Sequence, residues 1–265
     1  MGIYKAEAIV LRTRKYSEAD QLVTLFSRQR GKIPAIAKGV RKVKSRRRGG
    51  VQPFTHGAFV LYEGRSLDHI TQGDVIDAFP ALTADLDRLA YASYITELVD
   101  GLVEEGQQNE KVFLLLLTTL HLMTTEDPEI LTRVFEMRLT NFLGYCPELD
   151  SCVNCGGELG TAVRFSPELG GVLCGRCLSH DPMAARLTPA TLAVMKQLLK
   201  MDLRRLGVLK VNQGIRSELE KLLNRYLDLR LERRLRSRDF VITVKETGSF
   251  SDVVVNVEGE RCDEH

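Results

Sequence analysis

The chain has 265 residues, 44% of them hydrophobic and none of them Trp, which is enough for two or three domains with real cores. Its longest apolar run (112–123) is too short to cross a bilayer, and the opening MGIYKAEAIV has no cationic stretch leading into an apolar one, so neither a membrane span nor a secretory signal is expected. The net charge of +2 conceals a segregation, +8 over residues 1–80, −9 over 81–150, +7 over 151–240 and −4 over 241–265, which directs the first module at a polyanion such as nucleic acid.

Five β-forming runs crowd the first 80 residues: 6–13, 21–27, 32–38, 57–62 and 67–79. Turn signals separate them at Glu18–Asp20, Arg30-Gly31, Gly49-Gly50 and Glu63-Gly64. Short strands at this density predict a small barrel, and its nucleic-acid-binding version is the five-stranded OB-fold. Pattern alone does not separate that from an SH3-like barrel. Within this module the stretch RQRGKIPAIAKGVRKVKSRRR, residues 28–48, holds ten Lys/Arg and no acidic residue. Like charges so dense belong in water or against a polyanion, as a solvated loop or as a ligand site. Lys32, Lys38, Arg41, Lys42, Lys44, Arg46, Arg47 and Arg48 are the candidate DNA contacts. Bases need aromatic faces to stack on, and Phe54, Phe59 and Tyr62 lie just downstream. Phe59 is expected in the barrel core, Phe54 is nominated as a contact, and Tyr62 is left open.

Pro80 closes the module. Thr83 reads as an N-cap, with Asp85 and Asp87 favouring the positive end of the helix that follows, up to Gly106. A second helix spans 109–123, apolar on several faces and therefore central. A third runs over 129–143 behind Pro128, with Gly144 as its C′ residue and Pro147 blocking continuation. After a cysteine-rich segment come helices over 188–201 and 212–236. The expected organisation is α+β and multidomain: residues 1–80 an OB-fold β-barrel, 81–150 with 179–240 one α-helical domain, 151–178 an inserted four-cysteine zinc-binding module, and 241–265 a flexible acidic tail.

Cys152-x2-Cys155 and Cys174-x2-Cys177, separated by 18 residues, match the spacing of a structural zinc site. Each pair sits on a tight turn with glycines nearby, so four thiolates converge and leave no open position for a reactive water. One structural Zn2+ is expected. Disulfides are disfavoured without a secretory signal. Cys146 and Cys262 are spare, and His180 is an unneeded fifth donor. No phosphate-loop, G-x-S-x-G, H-E-x-x-H or G-x-G-x-x-G motif occurs, so no catalytic residue is nominated and a binding protein rather than an enzyme is expected. A zinc-ribbon transcription or RNA factor and a metal-dependent nuclease remain competing readings. A second basic set, Arg204, Arg205, Arg230, Arg233, Arg234, Arg236 and Arg238, suits a second strand or a solvated helix equally.

Three stretches, EAIVLRTRKYSEADQLVTLFSRQRGKIPAIAKGVRKVKSRRRGGVQPF, FVLYEGRSLDHITQGDVIDAF and FEMRLTNFLGYCPELDSCVNCG, resemble the RecO family of bacterial recombination mediators. The resemblance runs from about residue 5 to 240. It implies an N-terminal OB-fold, a helical domain and a zinc module. It implies a cytoplasmic, nucleoid-associated DNA-repair factor that binds single- and double-stranded DNA and anneals complementary strands. It also implies partnership with RecR and with the C-terminal tail of the single-strand-binding protein SSB, and through them help in loading RecA. Lys38, Gly39, Arg41, Lys44 and Ser45 stand in the family's AKG-x-R-x-x-x-S loop. Phe135, Arg138, Leu143, Gly144 and Tyr145 stand in its F-x-x-R…LGY helix end. The helical domain is where the family docks the apolar, acidic SSB tail, which makes Arg133, Phe135, Arg138, Leu143 and Tyr145 the candidate contacts.

Overall fold

In the computed structural model, residues 2–42, 49–161 and 163–247 are described, the side chains of Arg204 and Val208 apart. They fall into two compact units. One takes the chain up to Leu25, Ile33–Asp100 and the chain from Leu235 on. The other takes Phe26–Lys32 and Gly101–Arg234.

The first unit is built on five strands: β1 (Ile3–Lys15), β2 (Gln21–Ser27), β3 (Gly31–Ala37), β4 (His56–Tyr62) and β5 (Asp68–Asp77). They form a barrel in the order β1-β2-β3-β5-β4. β4 returns to pair with β1, Ile3 opposite Tyr62 and Ile9 opposite His56. The pairing that separates the two barrel types is β3 with β5, which is parallel, at Ala35–Asp68 and Ile36–His69. Together with β4 closing back on β1, it gives the OB-fold strand order. Alternate residues of the strands face inward, as the period of two requires. Ala6, Ala8 and Val10 of β1 thus meet Val23, Leu25, Ile33, Ala35, Phe59, Leu61 and Ile70 in one core. Phe59 is 1% exposed, as expected of a core aromatic.

Three helices belong to this unit: α1 (Pro80–Ala84), α2 (Leu86–Leu102) and α7 (Arg236–Thr247). Thr83 is not the cap of the long helix. Its hydroxyl bonds Pro80 O inside α1, the chain turns extended at Asp85, and Asp85 Oδ1 accepts the Arg88 N–H at 3.0 Å to start α2. α2 is buried on most of its circumference, with Tyr91, Tyr94, Ile95, Leu98 and Val99 all inside. Its Asp100 holds Arg12 of β1 at 3.0 Å. α7 docks on the same helix: the Ser237 N–H and hydroxyl both donate to Glu97, and Arg238 and Lys245 lie over the rings of Tyr94 and Tyr91. Residues 241–247 are therefore helix, with Val241 and Val244 buried, and not part of an acidic tail. Residues 248–265, the rest of the expected tail, lie outside the described residues.

The second unit contains α3 (Glu110–Leu122), α4 (Pro128–Phe142), α5 (Pro189–Lys200) and α6 (Gln213–Asp228). Side-chain caps start all four, Asn109 on α3, Asp127 on α4, Thr188 on α5 and Asn212 on α6. α4 packs against α3, α5 and α6. It ends as expected, with Gly144 at φ 82° and the Tyr145 N–H reaching back to Thr140 O at 2.7 Å. The single long helix expected over 212–236 is interrupted: α6 stops at Asp228 and the chain re-enters helix at Arg236. The cysteine module carries a three-stranded sheet of β6 (Val163–Ser166), β7 (Gly171–Cys174) and β8 (Ala185–Arg186), in the order β7-β6-β8. Among the described residues no helix is long and apolar enough to cross a membrane.

Candidate nucleic-acid interface and metal centre

Two turns of the barrel are fastened to each other. In the β1–β2 turn, Ser17 Oγ accepts the N–H groups of Ala19 and Asp20, and Tyr16 N–H donates to Asp20 O at 3.2 Å. After β3 the chain turns at Gly39, whose φ of 68° suits glycine. Asp20 Oδ1 accepts the Gly39 N–H at 2.8 Å. Arg41 completes the joint. Its N–H donates to Ala19 O at 3.0 Å, and its guanidinium to Ser17 O and Glu18 O at 2.8 and 3.1 Å. The Gly39 N–H, aided by Ser17 and by the charges of Lys38 and Lys42, holds the Asp20 carboxyl below its ordinary range. Around the joint Arg14, Lys15, Tyr16, Lys38 and Lys42 are all exposed.

The four cysteines meet in the second unit. Cys152 and Cys155 flank one tight turn, in which Gly156 N–H returns to Cys152 O at 2.8 Å. Cys174 ends β7, and Cys177 lies in the short helical turn Gly175–His180. All four sulfurs lie within 4.8 Å of one another, and those of Cys155 and Cys174 are 3.9 Å apart. A tetrahedron of thiolates with metal–sulfur bonds of about 2.3 Å has edges of about 3.8 Å, so the donor set fits one ion. The protein already biases these thiols unequally. Against the cost of burial, the N–H groups of Cys174, Cys155 and Asn154 bring Cys152 down to about 6. Asn154 donates to Cys177, yet burial and the three other sulfurs push Cys177 up to about 11. A metal cation held among the four sulfurs would offset the repulsion between thiolates at such distances. Cys146 stands outside this cluster, its thiol raised by burial and by Glu148. Cys262 lies outside the described residues.

A third feature adjoins the end of α5. Lys196, Lys200, Arg205 and Asp202 line, with Met201 and Leu209, a cavity of about 840 Å³. Arg138 of α4 supports its wall by donating to the carbonyls of Leu198, in the last turn of α5, and of Met201 just after it. Burial lowers the Arg138 pKa, against the pull of Asp202.

Two family models match the chain, Recombination protein O N terminal over residues 1–79 and Recombination protein O C terminal over 83–239. Together they span both the barrel and the helices. The chain belongs to the RecO family. It is similar to the DNA repair protein RecO of Pelotomaculum thermopropionicum, 44% identical over 241 residues, which cover 91% of this chain and 94% of that protein. The protein of the same name from Symbiobacterium thermophilum is 41% identical over 250 residues, 92% of this chain and 99% of that protein. That of Desulforamulus reducens is 41% identical over 242 residues, 91% and 94%.

Of the RecO-type loop, Lys38, Gly39 and Arg41 stand at the joint with Lys42, while Lys44, Ser45, Arg46, Arg47 and Arg48 lie outside the described residues. Lys32 opens β3 at its other end and is half-buried, its carbonyl accepting the Gly106 N–H. Arg28, also in the basic run, pairs with Glu110 at 2.6 Å, so part of that run faces the protein's own acid. Phe54 is corrected: it is 3% exposed, with φ 71° and its N–H on Val10 O, so its ring is a plug in the fold rather than a stacking surface. At the RecO-type helix end, Arg133 and Phe135 are likewise corrected, since Phe135 is fully buried and Arg133 is buried against Glu136 at 3.0 Å. Arg138 is half-buried at the cavity wall, Leu143 is half-buried and Tyr145 is exposed. In the second basic set, Arg230 lies 3.5 Å above the Tyr226 ring and Arg238 covers Tyr94, which gives both a packing role. Arg14, Lys15 and Tyr16, and the cavity residues Lys196 and Lys200, were reached by no aromatic or basic-run pattern. The signal for the first three is the TRKYSEAD turn, a lone aromatic between two basic residues and a polar turn.

Proposed function

We propose that this chain is a recombination mediator in DNA repair. It binds single- and double-stranded DNA, anneals complementary strands, and acts with RecR and SSB to help RecA load on SSB-coated single strands. It is a binding protein without a catalytic centre, it carries one structural Zn2+ on Cys152, Cys155, Cys174 and Cys177, and it works in the cytoplasm at the nucleoid. The observation that carries this reading is membership of the RecO family along nearly the whole chain, barrel and helices alike.

Physical chemistry supports each part. Two strands repel, and a cationic surface lowers that repulsion by releasing their counterions, so binding weakens with salt. Lys38 and Lys42, held out by the turn joint, and the run 44–48 supply the charge. The OB-fold offers the matching scaffold. The cavity beside α5 offers an acidic, apolar tail three cations, Lys196, Lys200 and Arg205, with Met201 and Leu209; Asp202 also lines it and Lys196 pairs with Asp150 at 2.8 Å, so a tail carboxylate would compete with the protein's own acids there. The four thiolates brace the module without an open ligand position.

The test is fluorescence-monitored annealing of complementary oligonucleotides, with and without SSB coating, over a salt series. The protein is expected to accelerate annealing in both settings and to lose the effect as salt rises. Unchanged annealing at low salt would remove the proposal. Metal analysis of the purified protein is expected to find one zinc per chain.

A further inference from the structure

We propose that Tyr16 is a base-stacking platform that lets this protein prefer single-stranded over duplex DNA. The inference rests on the DNA-binding reading above and adds the residue that touches bases. Tyr16 is 59% exposed, in a turn where a large aromatic gains little from folding. It follows Arg14 and Lys15, both exposed and without an ion pair among the described residues. Asp20 ties it to the second turn: its carbonyl accepts the Tyr16 N–H and its carboxylate the Gly39 N–H. Arg41 clamps the residues next to Tyr16 from the same side. The backbone carrying Tyr16 is therefore fixed, and the two joined turns that hold it expose four cations, Arg14, Lys15, Lys38 and Lys42, against one exposed acid, Glu18. Cations tracking a backbone beside an aromatic face are what an unpaired strand needs, since its bases are free to stack and those of a duplex are not.

The other exposed barrel aromatic fits less well. Tyr62 is 41% exposed, its ring lies 6.5 Å from that of His69, and its surroundings include Glu63 and Asp68, which repel phosphates. Phe54, Phe59 and Phe79 are buried.

Fluorescence polarisation at low salt would compare wild type, Tyr16→Ala, Tyr16→Phe and Tyr16→Trp. The probes are labelled oligo-dT, a duplex of equal length, and an oligonucleotide whose central sites are abasic. Tyr16→Ala is expected to weaken oligo-dT binding roughly five- to a hundred-fold, the range for one stacked base. Duplex and abasic binding should change by less than about twofold, since phosphate contacts dominate there. Tyr16→Phe and Tyr16→Trp should bind oligo-dT like wild type, which separates stacking from damage to the turn. Equal oligo-dT binding by wild type and Tyr16→Ala would overturn the inference and leave the DNA reading intact. Uniform weakening on all three probes, unrescued by Phe, would overturn it in favour of a structural role. A wild type that binds no probe would overturn both.

Discussion

Asp20 links two turns, one through its carbonyl and the other through its carboxylate, and the charge of that carboxylate strengthens the second link. A carboxylate held below its ordinary range stabilises the fold fully above the unfolded value, near 3.9. That contribution disappears as pH falls through the lower folded value. Asp20→Asn keeps an acceptor for Gly39 but loses the charge. It should melt below wild type at pH 7, and the two melting temperatures should begin to converge only below about pH 4, as pH falls toward the lower folded value; thermal melts from pH 7 down to about pH 2 measure this. A buried charge pair makes a second residue-scale case. Arg133 and Glu136 sit one turn apart on α4, with side chains 3% and 0% exposed. Glu136→Ala removes one charge of this buried pair and should cost about 3–5 kcal/mol in urea unfolding, whereas Arg133→Met with Glu136→Leu should cost much less. These residues also mark where the sequence misleads. The resemblance nominates Arg133 as an exposed contact, but the side chain is buried and paired with Glu136 three residues on. Phe54 misleads through its left-handed backbone, which nothing in the side-chain pattern announces.

Strands and helices were largely legible because their periods are local. The five runs of the barrel, the helix starts near 109 and 188, the C′ glycine at 144 and the two C-x-x-C turns all lie where their own neighbours put them. What the pattern could not choose was OB against SH3-like order, since that choice rests on β3 pairing in parallel with β5, a contact across more than thirty residues of sequence. The cysteine centre was legible for the opposite reason, its ligand spacing being a chemical constraint rather than a packing outcome. α7 was missed. Its segment is short and mixes charged with apolar residues, and only two valines on one face, Val241 and Val244, go inside. Glu97 at its first turn, receiving the Ser237 N–H, supplies the start signal from another helix. If α7 is integral to the first unit, Val241→Ala and Val244→Ala should each cost about 1.5 kcal/mol from the methylenes removed. Surface changes on the same helix, such as Glu246→Gln, should be silent; denaturant unfolding of the three variants distinguishes these outcomes.

At the scale of the whole chain, the decisive quantity is where the positive charge acts, because +8 in residues 1–80 and +7 in residues 151–240 are nearly equal. If the barrel grips the strand and the helical segment receives an acidic peptide, the two sets respond differently to salt. Each single-strand phosphate neutralised contributes about 0.7 to the slope of log K against log salt. Lys38→Glu with Lys42→Glu removes two such contacts, so the slope for oligo-dT should fall by about 1.4 while affinity drops at every salt concentration. Lys196→Glu with Lys200→Glu changes net charge by the same amount at the cavity wall. It should leave that slope unaltered and abolish capture of an SSB-tail peptide, read by polarisation of the labelled peptide. Arg41→Ala lies between these cases. Its guanidinium is engaged with Ser17 O and Glu18 O, so its loss should lower the melting temperature more than it lowers the slope. Equal falls in slope from the two double variants would mean that DNA senses the protein's total charge, and the assignment of the strand to the joined turns of the barrel would fail.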